Sequence, residues 1–277
     1  MLTLKAALEL ATESIGRVDA QVILAHLLGV DRAYLVANPM RVLTESEDAR
    51  VDMMVAQRSM GQPVAYLLGA REFYGRAFHV GPDVLIPRPE TETLVEAALE
   101  RLRPPREGGG PISVLDLGTG SGAIAITLAC ERPGLAVTAT DHSEAALAVA
   151  RRNAQALGAR VELVHGAWYA PVAGRRFDLV VSNPPYIADR DPHLAAGDLR
   201  FEPRSALTDG SADGLGSIRA IVASAAAHLN PGGWLLVEHG YDQAAAARRL
   251  LAEAGFAGIV SIRDLAGIER VAGGKLA

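Results

Sequence analysis

Apolar residues recur at helical spacing through residues 1–70. Leu4, Ala7, Leu8 and Ala11 share one helical face, and Ala20, Ile23, Leu24, Leu27 and Leu28 share another. Asp19 is placed to cap the second helix and Gly29 to end it. Thr44 reads as the N-cap of a further helix with Glu47 as its capping-box partner, and Val51, Met54 and Val55 supply its apolar face. This is the pattern of a small helical domain with its own core. Between 71 and 90 the period changes. Arg71-Glu72-Phe73-Tyr74-Gly75-Arg76-Ala77-Phe78-His79-Val80 predicts a hairpin turning near Gly75. In Leu85-Ile86-Pro87-Arg88-Pro89-Glu90, two prolines two apart cannot both sit inside a helix or a central strand. That segment is a stiff connector leading into a helix over 91–102. The stretch 103–111, with three prolines and three glycines, reads as a loop.

From Ile112 onward, strand and helix patterns alternate. Strands are predicted over 113–117, 136–140, 161–165, 177–182 and 234–238, with two more at 259–263 and 269–272. Helices over 123–131 and 143–157 are the clearest between them, the second capped by Ser143. Alternation of this kind implies an α/β domain with a parallel sheet and helices on both faces. The expected organisation is a helical domain over 1–70, a hairpin and proline-rich linker over 71–90, and a catalytic domain over 91–277.

Two segments at strand ends carry candidate chemistry. Val114-Leu115-Asp116-Leu117 runs into Gly118-Thr119-Gly120-Ser121-Gly122, a strand followed by a glycine turn. Such a turn lets a nucleotide-like cofactor approach the main chain. Asp141 ends the next strand about 20 residues on, where its carboxylate could accept ribose hydroxyls. The alternative is a helix-capping or surface carboxylate. These residues serve NAD and S-adenosylmethionine alike.

The second segment separates the two cofactors. Asn183-Pro184-Pro185-Tyr186 closes the run Phe177-Asp178-Leu179-Val180-Val181-Ser182. An Asn carbonyl accepts an N–H, proline leaves only carbonyl acceptors on the adjacent backbone, and the Tyr ring packs on a planar group. This suits capture of a flat amide or amine. It offers no group to handle the proton that accompanies hydride transfer, so it favours methyl transfer to a planar nitrogen. Trp168, after the third strand, is a candidate to pack on the adenine, or else a core or surface aromatic.

Composition narrows the reading further. The chain has 277 residues, 49% apolar and 21% charged, and a net charge of −5. That is enough apolar material for a sizeable core, and no long basic run marks a polyanion-binding face. Lys5 and Lys275 are the only lysines among 27 Lys and Arg residues, a bias of composition rather than of function. The single cysteine, Cys130, sits in an apolar stretch and is expected to be a buried thiol. The seven histidines show no metal-ligand spacing, and no metal is assigned. With no signal peptide and no membrane-spanning run, a cytoplasmic enzyme is the simple expectation.

Taken together, the residues resemble the release-factor glutamine methyltransferases, bacterial enzymes that modify peptide-chain release factors. The resemblance runs through Gln62-Pro63-Val64-Ala65-Tyr66-Leu67, Arg71-Glu72-Phe73-Tyr74-Gly75 and Leu85-Ile86-Pro87-Arg88-Pro89-Glu90-Thr91-Glu92. It continues through the glycine turn, Asn183-Pro184-Pro185-Tyr186 and Arg200-Phe201-Glu202-Pro203. The Asn-Pro-Pro-Tyr turn is also a feature of adenine-N6 and guanine-N2 methyltransferases, whereas the Ile-Pro-Arg-Pro-Glu-Thr-Glu segment is more specific.

The resemblance implies a Rossmann-like class I methyltransferase domain with a seven-stranded, mostly parallel sheet, preceded by a helical substrate-recognition domain and a hairpin linker. It implies S-adenosylmethionine bound by Gly118, Thr119, Gly120, Ser121, Gly122, Asp141, Trp168 and Asn183. It further implies that Asn183, Pro184, Pro185 and Tyr186 hold the glutamine of a release factor's Gly-Gly-Gln loop. Many relatives carry an acidic residue just before the tryptophan; this chain has Ala167. The competing expectation is an amino-methyltransferase of adenine or guanine in nucleic acid, using the same turn on a flipped base.

Overall fold

The computed structural model describes residues 2–102 and 110–277. Most of the stretch read as a loop over 103–111 therefore lies outside the described residues. Two compact units are present, Met1–Ala70 and Arg71–Ala277.

The first unit contains α1 (Leu4–Ile15), α2 (Arg17–Leu28), α3 (Arg32–Ala37), α4 (Glu45–Ser59) and α5 (Val64–Leu68). Leu4, Ala7, Ala11, Ala20, Leu24, Leu35 and Val51 meet in one buried cluster. Thr44 and Glu47 form the expected capping box at the start of α4. Gly29 ends α2 in the left-handed conformation. Asp19 does not cap α2. Gly16, at φ 80°, ends α1 and caps α2 three residues earlier, so Asp19 falls in the first turn. There it is still favoured by the helix dipole, and its carboxylate accepts Arg58 Nε of α4 at 2.7 Å.

A hairpin follows, β1 (Ala70–Phe73) and β2 (Arg76–His79). Tyr74 and Gly75 both take positive φ, 51° and 72°, as a tight two-residue hairpin turn requires. Phe73 and Phe78 meet edge to face beneath it, ring centroids 6.0 Å apart. The proline-rich connector has no regular structure until a single 3-10 turn, Pro89–Thr91, which leads into α6 (Glu92–Arg101).

The main sheet has seven strands: β3 (Ser113–Leu117), β4 (Ala136–Asp141), β5 (Val161–His165), β6 (Phe177–Ser182), β7 (Leu229–Glu238), β8 (Ala257–Arg263) and β9 (Glu269–Lys275). Their spatial order is β5-β4-β3-β6-β7-β9-β8, and only β9 runs antiparallel to its neighbours. The helices are α7 (Ala123–Glu131), α8 (Glu144–Ala156), α9 (Arg204–Leu207), α10 (Gly216–His228) and α11 (Ala244–Glu253). Ser143 caps α8, its hydroxyl accepting Ala146 N at 3.1 Å. Successive residues of a strand face opposite layers. Val181 thus joins the core with Ile124, Ile126 and Leu128, while Val180 joins Ile218, Ile221 and Leu251 on the other face. Cys130 is only half-buried at the edge of the first core, because α7 is about to end. Strand β7 starts at Leu229 rather than 234; its Pro231-Gly232-Gly233 stretch is carried as an irregularity opposite Phe177 and Leu179. Among the described residues, no helix is long and apolar enough to cross a membrane.

Candidate active site

Sheet register fixes the site. Leu117 of β3 pairs with Ser182 of β6 on one side and with Thr140 of β4 on the other. The next residues, Asn183, Gly118 and Asp141, therefore leave three adjacent strands at one level. Strand order reverses between β3 and β6, so these residues border the crevice where open α/β sheets bind ligands.

The glycine turn is tied down from below. Gly118 N and Thr119 N both donate to Thr140 O, at 2.9 and 3.0 Å. The Thr119 hydroxyl donates to buried Asp116 at 2.6 Å. Asp141 accepts Gly120 N on one carboxylate oxygen and Ser143 N on the other, at 2.8 and 2.9 Å. It therefore braces the loop and starts α8, and each oxygen keeps a lone pair for a ligand hydroxyl. Gly118, at φ 71°, also lacks the Cβ that would meet the Trp168 ring at 3.3 Å. Trp168 itself has φ 47°, and its carbonyl accepts the Thr140 hydroxyl at 3.0 Å.

Above these residues lies a cavity of about 550 Å³, the size of a small-molecule site. Gly118, Thr119, Gly120, Ser121, Asp141, Trp168 and Asn183 line it. Gly122 does not; it turns toward α7, where a Cβ would stand 2.6 Å from Ile126 Cδ1. A glycine cradle, a buried carboxylate and a flat aromatic wall suit a nucleoside carrying a charged tail. The donor set thus fits S-adenosylmethionine.

Of the four turn residues, Asn183 and Pro185 line the cavity, Pro184 is buried, and Tyr186 lies outside the lining. The Tyr186 hydroxyl instead reaches Glu238 Oε1 at 3.4 Å. The turn is held from behind. Tyr186 O accepts Gln243 Nε2 at 2.9 Å, and the same nitrogen reaches Asp213 O at 3.1 Å. Gly214 packs so close that a Cβ would stand 2.1 Å from Tyr186 O. Asn183 Nδ2 donates to Thr91 Oγ1 at 3.1 Å.

Burial pushes the Glu238 carboxyl up to about 7, Glu90 adds to this, and Thr91, Arg270 and Tyr186 oppose it. Burial likewise lifts Asp116 to about 7 against the Thr119 hydroxyl. The Tyr186 phenol is raised by burial and then by Glu238, and remains a donor.

Several residues around the site escaped the sequence reading. Asn153 of α8 donates to Ser121 O at 2.8 Å and exchanges hydrogen bonds with the His79 backbone. Glu202 is buried, pairs with Arg88 and accepts Ile86 N at 2.9 Å. Thr91 and Glu202 lie inside segments already singled out, Ile-Pro-Arg-Pro-Glu-Thr-Glu and Arg-Phe-Glu-Pro. Asn153, Glu238 and Gln243 carry no local signal.

The fold and the glycine-lined crevice are those of the class I, Rossmann-like methyltransferases. A methyltransferase from Pyrococcus furiosus shares the fold at TM-score 0.55 and 21% identity, over 84% of this chain and 98% of that one. The T. thermophilus 16S rRNA N2 G1207 methyltransferase, in complex with AdoMet and guanosine, aligns at TM-score 0.55 and 26% identity, over 75% of this chain and 50% of that one. The family model described as PrmC N-terminal domain matches residues 3–69, and that described as Methyltransferase small domain matches 96–210. The chain is 53% identical over 274 residues to the release factor glutamine methyltransferase of Burkholderia pseudomallei, covering 96% of this chain and 94% of the relative. It is 52% identical over 268 residues to that of Bordetella pertussis, covering 96% and 97%. The chain belongs to the release factor glutamine methyltransferase family and is a methyltransferase.

Proposed function

We propose that this enzyme transfers a methyl group from S-adenosylmethionine to the side-chain amide nitrogen of the glutamine in the Gly-Gly-Gln motif of peptide chain release factors. One observation carries the reading: the Leu117–Ser182 register sets the glycine turn beside Asn183 over one cavity. Family membership supplies the substrate class. Gly118, Thr119, Gly120, Ser121, Asp141 and Trp168 would hold the cofactor, with Gly122 shaping the turn. When bound, S-adenosylmethionine supplies an electrophilic methyl on a sulfonium centre.

A glutamine nitrogen is a poor nucleophile, its lone pair being delocalised into the carbonyl, so positioning dominates. The Asn183 side-chain carbonyl and the Pro184 backbone carbonyl accept the two amide hydrogens and favour positive charge developing on nitrogen. Pro185 shapes the wall, and Tyr186, outside the cavity lining, holds the turn from behind through Gln243. Asn183 is neutral and is not the base; the proton leaves to solvent. The helical unit, Met1–Ala70, recognises the release factor, and the enzyme works in the cytoplasm, where release factors act.

The test is transfer of labelled methyl to a purified release factor, to the same factor with its Gly-Gly-Gln glutamine replaced, and to RNA and DNA. Label on the intact factor alone is expected. Label that survives glutamine replacement, or that goes to nucleic acid instead, would overturn the assignment.

A further inference from the structure

The end of the sheet that carries Asn183 continues across three more strands. Ser182 of β6 pairs with Val237 of β7, and Glu238 of β7 pairs with Val271 of β9. Arg263 of β8 pairs with Glu269 of β9. The residues after β7 and the β8–β9 turn over 264–268 therefore leave the sheet at the same end as Asn183. His239 N donates to Arg270 O at 2.9 Å and ties the two segments together. Neighbouring strands lie about 4.8 Å apart, so this rim runs from roughly 5 to 15 Å beyond the Asn183 strand.

The rim carries exposed apolar side chains. Tyr241 is 73% exposed, Ile268 38%, and Leu265 fully so. Leu265 is not on a loose tip. Asp264, itself buried, accepts Ala266 N and Ile268 N on Oδ1 and Arg270 Nε on Oδ2, each at 2.9 Å. Asp264 N donates to Ile268 O and Gly267 N to Asp264 O, both at 2.9 Å. Arg263 Nη1 closes on Gly267 O at 2.6 Å. The segment with Tyr241 is braced as well. Gly240 N donates to Gln243 Oε1 at 2.9 Å, and Gln243 Nε2 holds Tyr186 O. One short loop thus supports the Asn-Pro-Pro-Tyr turn and presents Tyr241.

A single exposed apolar residue is ordinary. Three on two braced segments beside a site for a protein substrate have an occupant at hand. A specific protein complex buries about 800 Å² on each partner, a disc of radius roughly 16 Å. Centred on Asn183, such a disc reaches the rim. The cofactor-side residues stand on β3 and β4, so the rim lies on the opposite side of Asn183 from them. We propose that Tyr241, Leu265 and Ile268 form a docking ridge for the part of the release factor that flanks its Gly-Gly-Gln loop. The proposal rests on the substrate argued above and gives the second unit its own hold on the substrate's body. Anchors already fixed in place lose little freedom on binding, and Tyr is favoured among residues that dominate interfaces.

The experiment compares Leu265→Asp, Leu265→Met and Tyr241→Ala with wild type in the full chain. Calorimetry measures binding of a purified release factor whose Gly-Gly-Gln glutamine is replaced, and label transfer measures methylation of the intact factor. Leu265→Asp and Tyr241→Ala should each raise release-factor Kd and KM about fivefold or more. The kcat at saturating factor and the cofactor Kd should stay within about twofold. Leu265→Met should bind as wild type does. Unchanged factor Kd in Leu265→Asp, or a loss confined to kcat or cofactor Kd, would overturn the ridge while wild-type methylation leaves the assigned function standing. A wild type that methylates no release factor would defeat the substrate assignment, and the ridge's occupant with it.

Contact is read separately. A photo-crosslinking residue in place of Leu265 should capture the release factor. The same residue in place of Arg132, between α7 and β4 at the opposite end of the sheet, should not. Capture of a second copy of the enzyme at 265 in place of the factor would assign the ridge to self-association and overturn the proposal.

Discussion

Arg88 and Glu202, 114 residues apart in the chain, form an ion pair that joins the proline-rich connector to the Arg-Phe-Glu-Pro loop. The pair is unequal. The Glu202 side chain is fully buried, whereas that of Arg88 is 29% exposed and lines the cavity. Glu202 also accepts Ile86 N, so it pins the connector at two points.

That inequality predicts unequal costs. Arg88→Ala leaves a buried carboxylate without its countercharge and should destabilise the fold by about 3 kcal/mol. Glu202→Gln keeps an acceptor for Ile86 N and leaves Arg88 free to hydrate, so about 1 kcal/mol is expected. Urea unfolding of both variants checks this. Equal losses would show that the pair is not held as buried as the structure has it.

Asp141→Ala should weaken cofactor binding about tenfold or more, because hydrogen bonds to a charged acceptor are lost. Asp141→Asn should do little better. Its amide nitrogen would face Gly120 N or Ser143 N, both donors, where the carboxylate now accepts at 2.8 and 2.9 Å. Calorimetry with S-adenosylmethionine measures both, and unchanged affinity in either variant would remove Asp141 from the site.

How far the site was legible in sequence follows from the same contacts. Strands β3 and β6 and the turns after them were readable because each is a local pattern: an apolar run, then glycine or proline. Those local patterns also located Asp141, Trp168 and Asn183. Asp19 misled, because a glycine at positive φ started the helix first. Asn153, Glu238 and Gln243 were invisible for a different reason. Each is one polar residue in an ordinary helix, strand end or loop, and its meaning lies in a partner 32 to 74 residues away. Only the sheet order brings those partners together.

Stability should fall as pH rises from about 4.5 toward 7. Glu238 and Asp116 both have folded-state pKa values raised to about 7 by burial. In that window the folded chain holds protons that the unfolded chain has released, so stability present at low pH is lost as pH climbs through the folded pKa. Glu238→Gln has no such proton and should show a shallower decline, with the Asp116 contribution remaining. Melting temperatures at pH 5, 6 and 7.5 for both proteins test this, and parallel curves would mean that Glu238 does not titrate in the window.

A chain beginning at Arg71, where the second unit starts, should bind S-adenosylmethionine within about threefold of the full chain, while release-factor methylation falls tenfold or more. All the residues that line the cavity lie in that second unit. Undiminished methylation by the shortened chain would show that the helical unit does not recognise the substrate.

Asn183→Ala should nearly abolish methylation and leave the fold intact. The side chain lines the cavity and, among the described residues, makes one hydrogen bond, to Thr91, so little of the core depends on it. Its proposed task is to accept a substrate N–H and set the nitrogen's approach, and alanine offers no acceptor. Asn183→Asp is the sharper variant. It keeps an acceptor of the same shape but loses the nitrogen that Thr91 now holds and adds a charge beside the cofactor's sulfonium. Partial activity is therefore expected from Asp and almost none from Ala, with cofactor affinity in Asp equal to or tighter than wild type through charge attraction. Transfer to a release factor gives the activities and calorimetry the affinities. Robust methylation by the alanine variant would show that Asn183 is a bystander in the cavity wall and that the substrate nitrogen is held by something else.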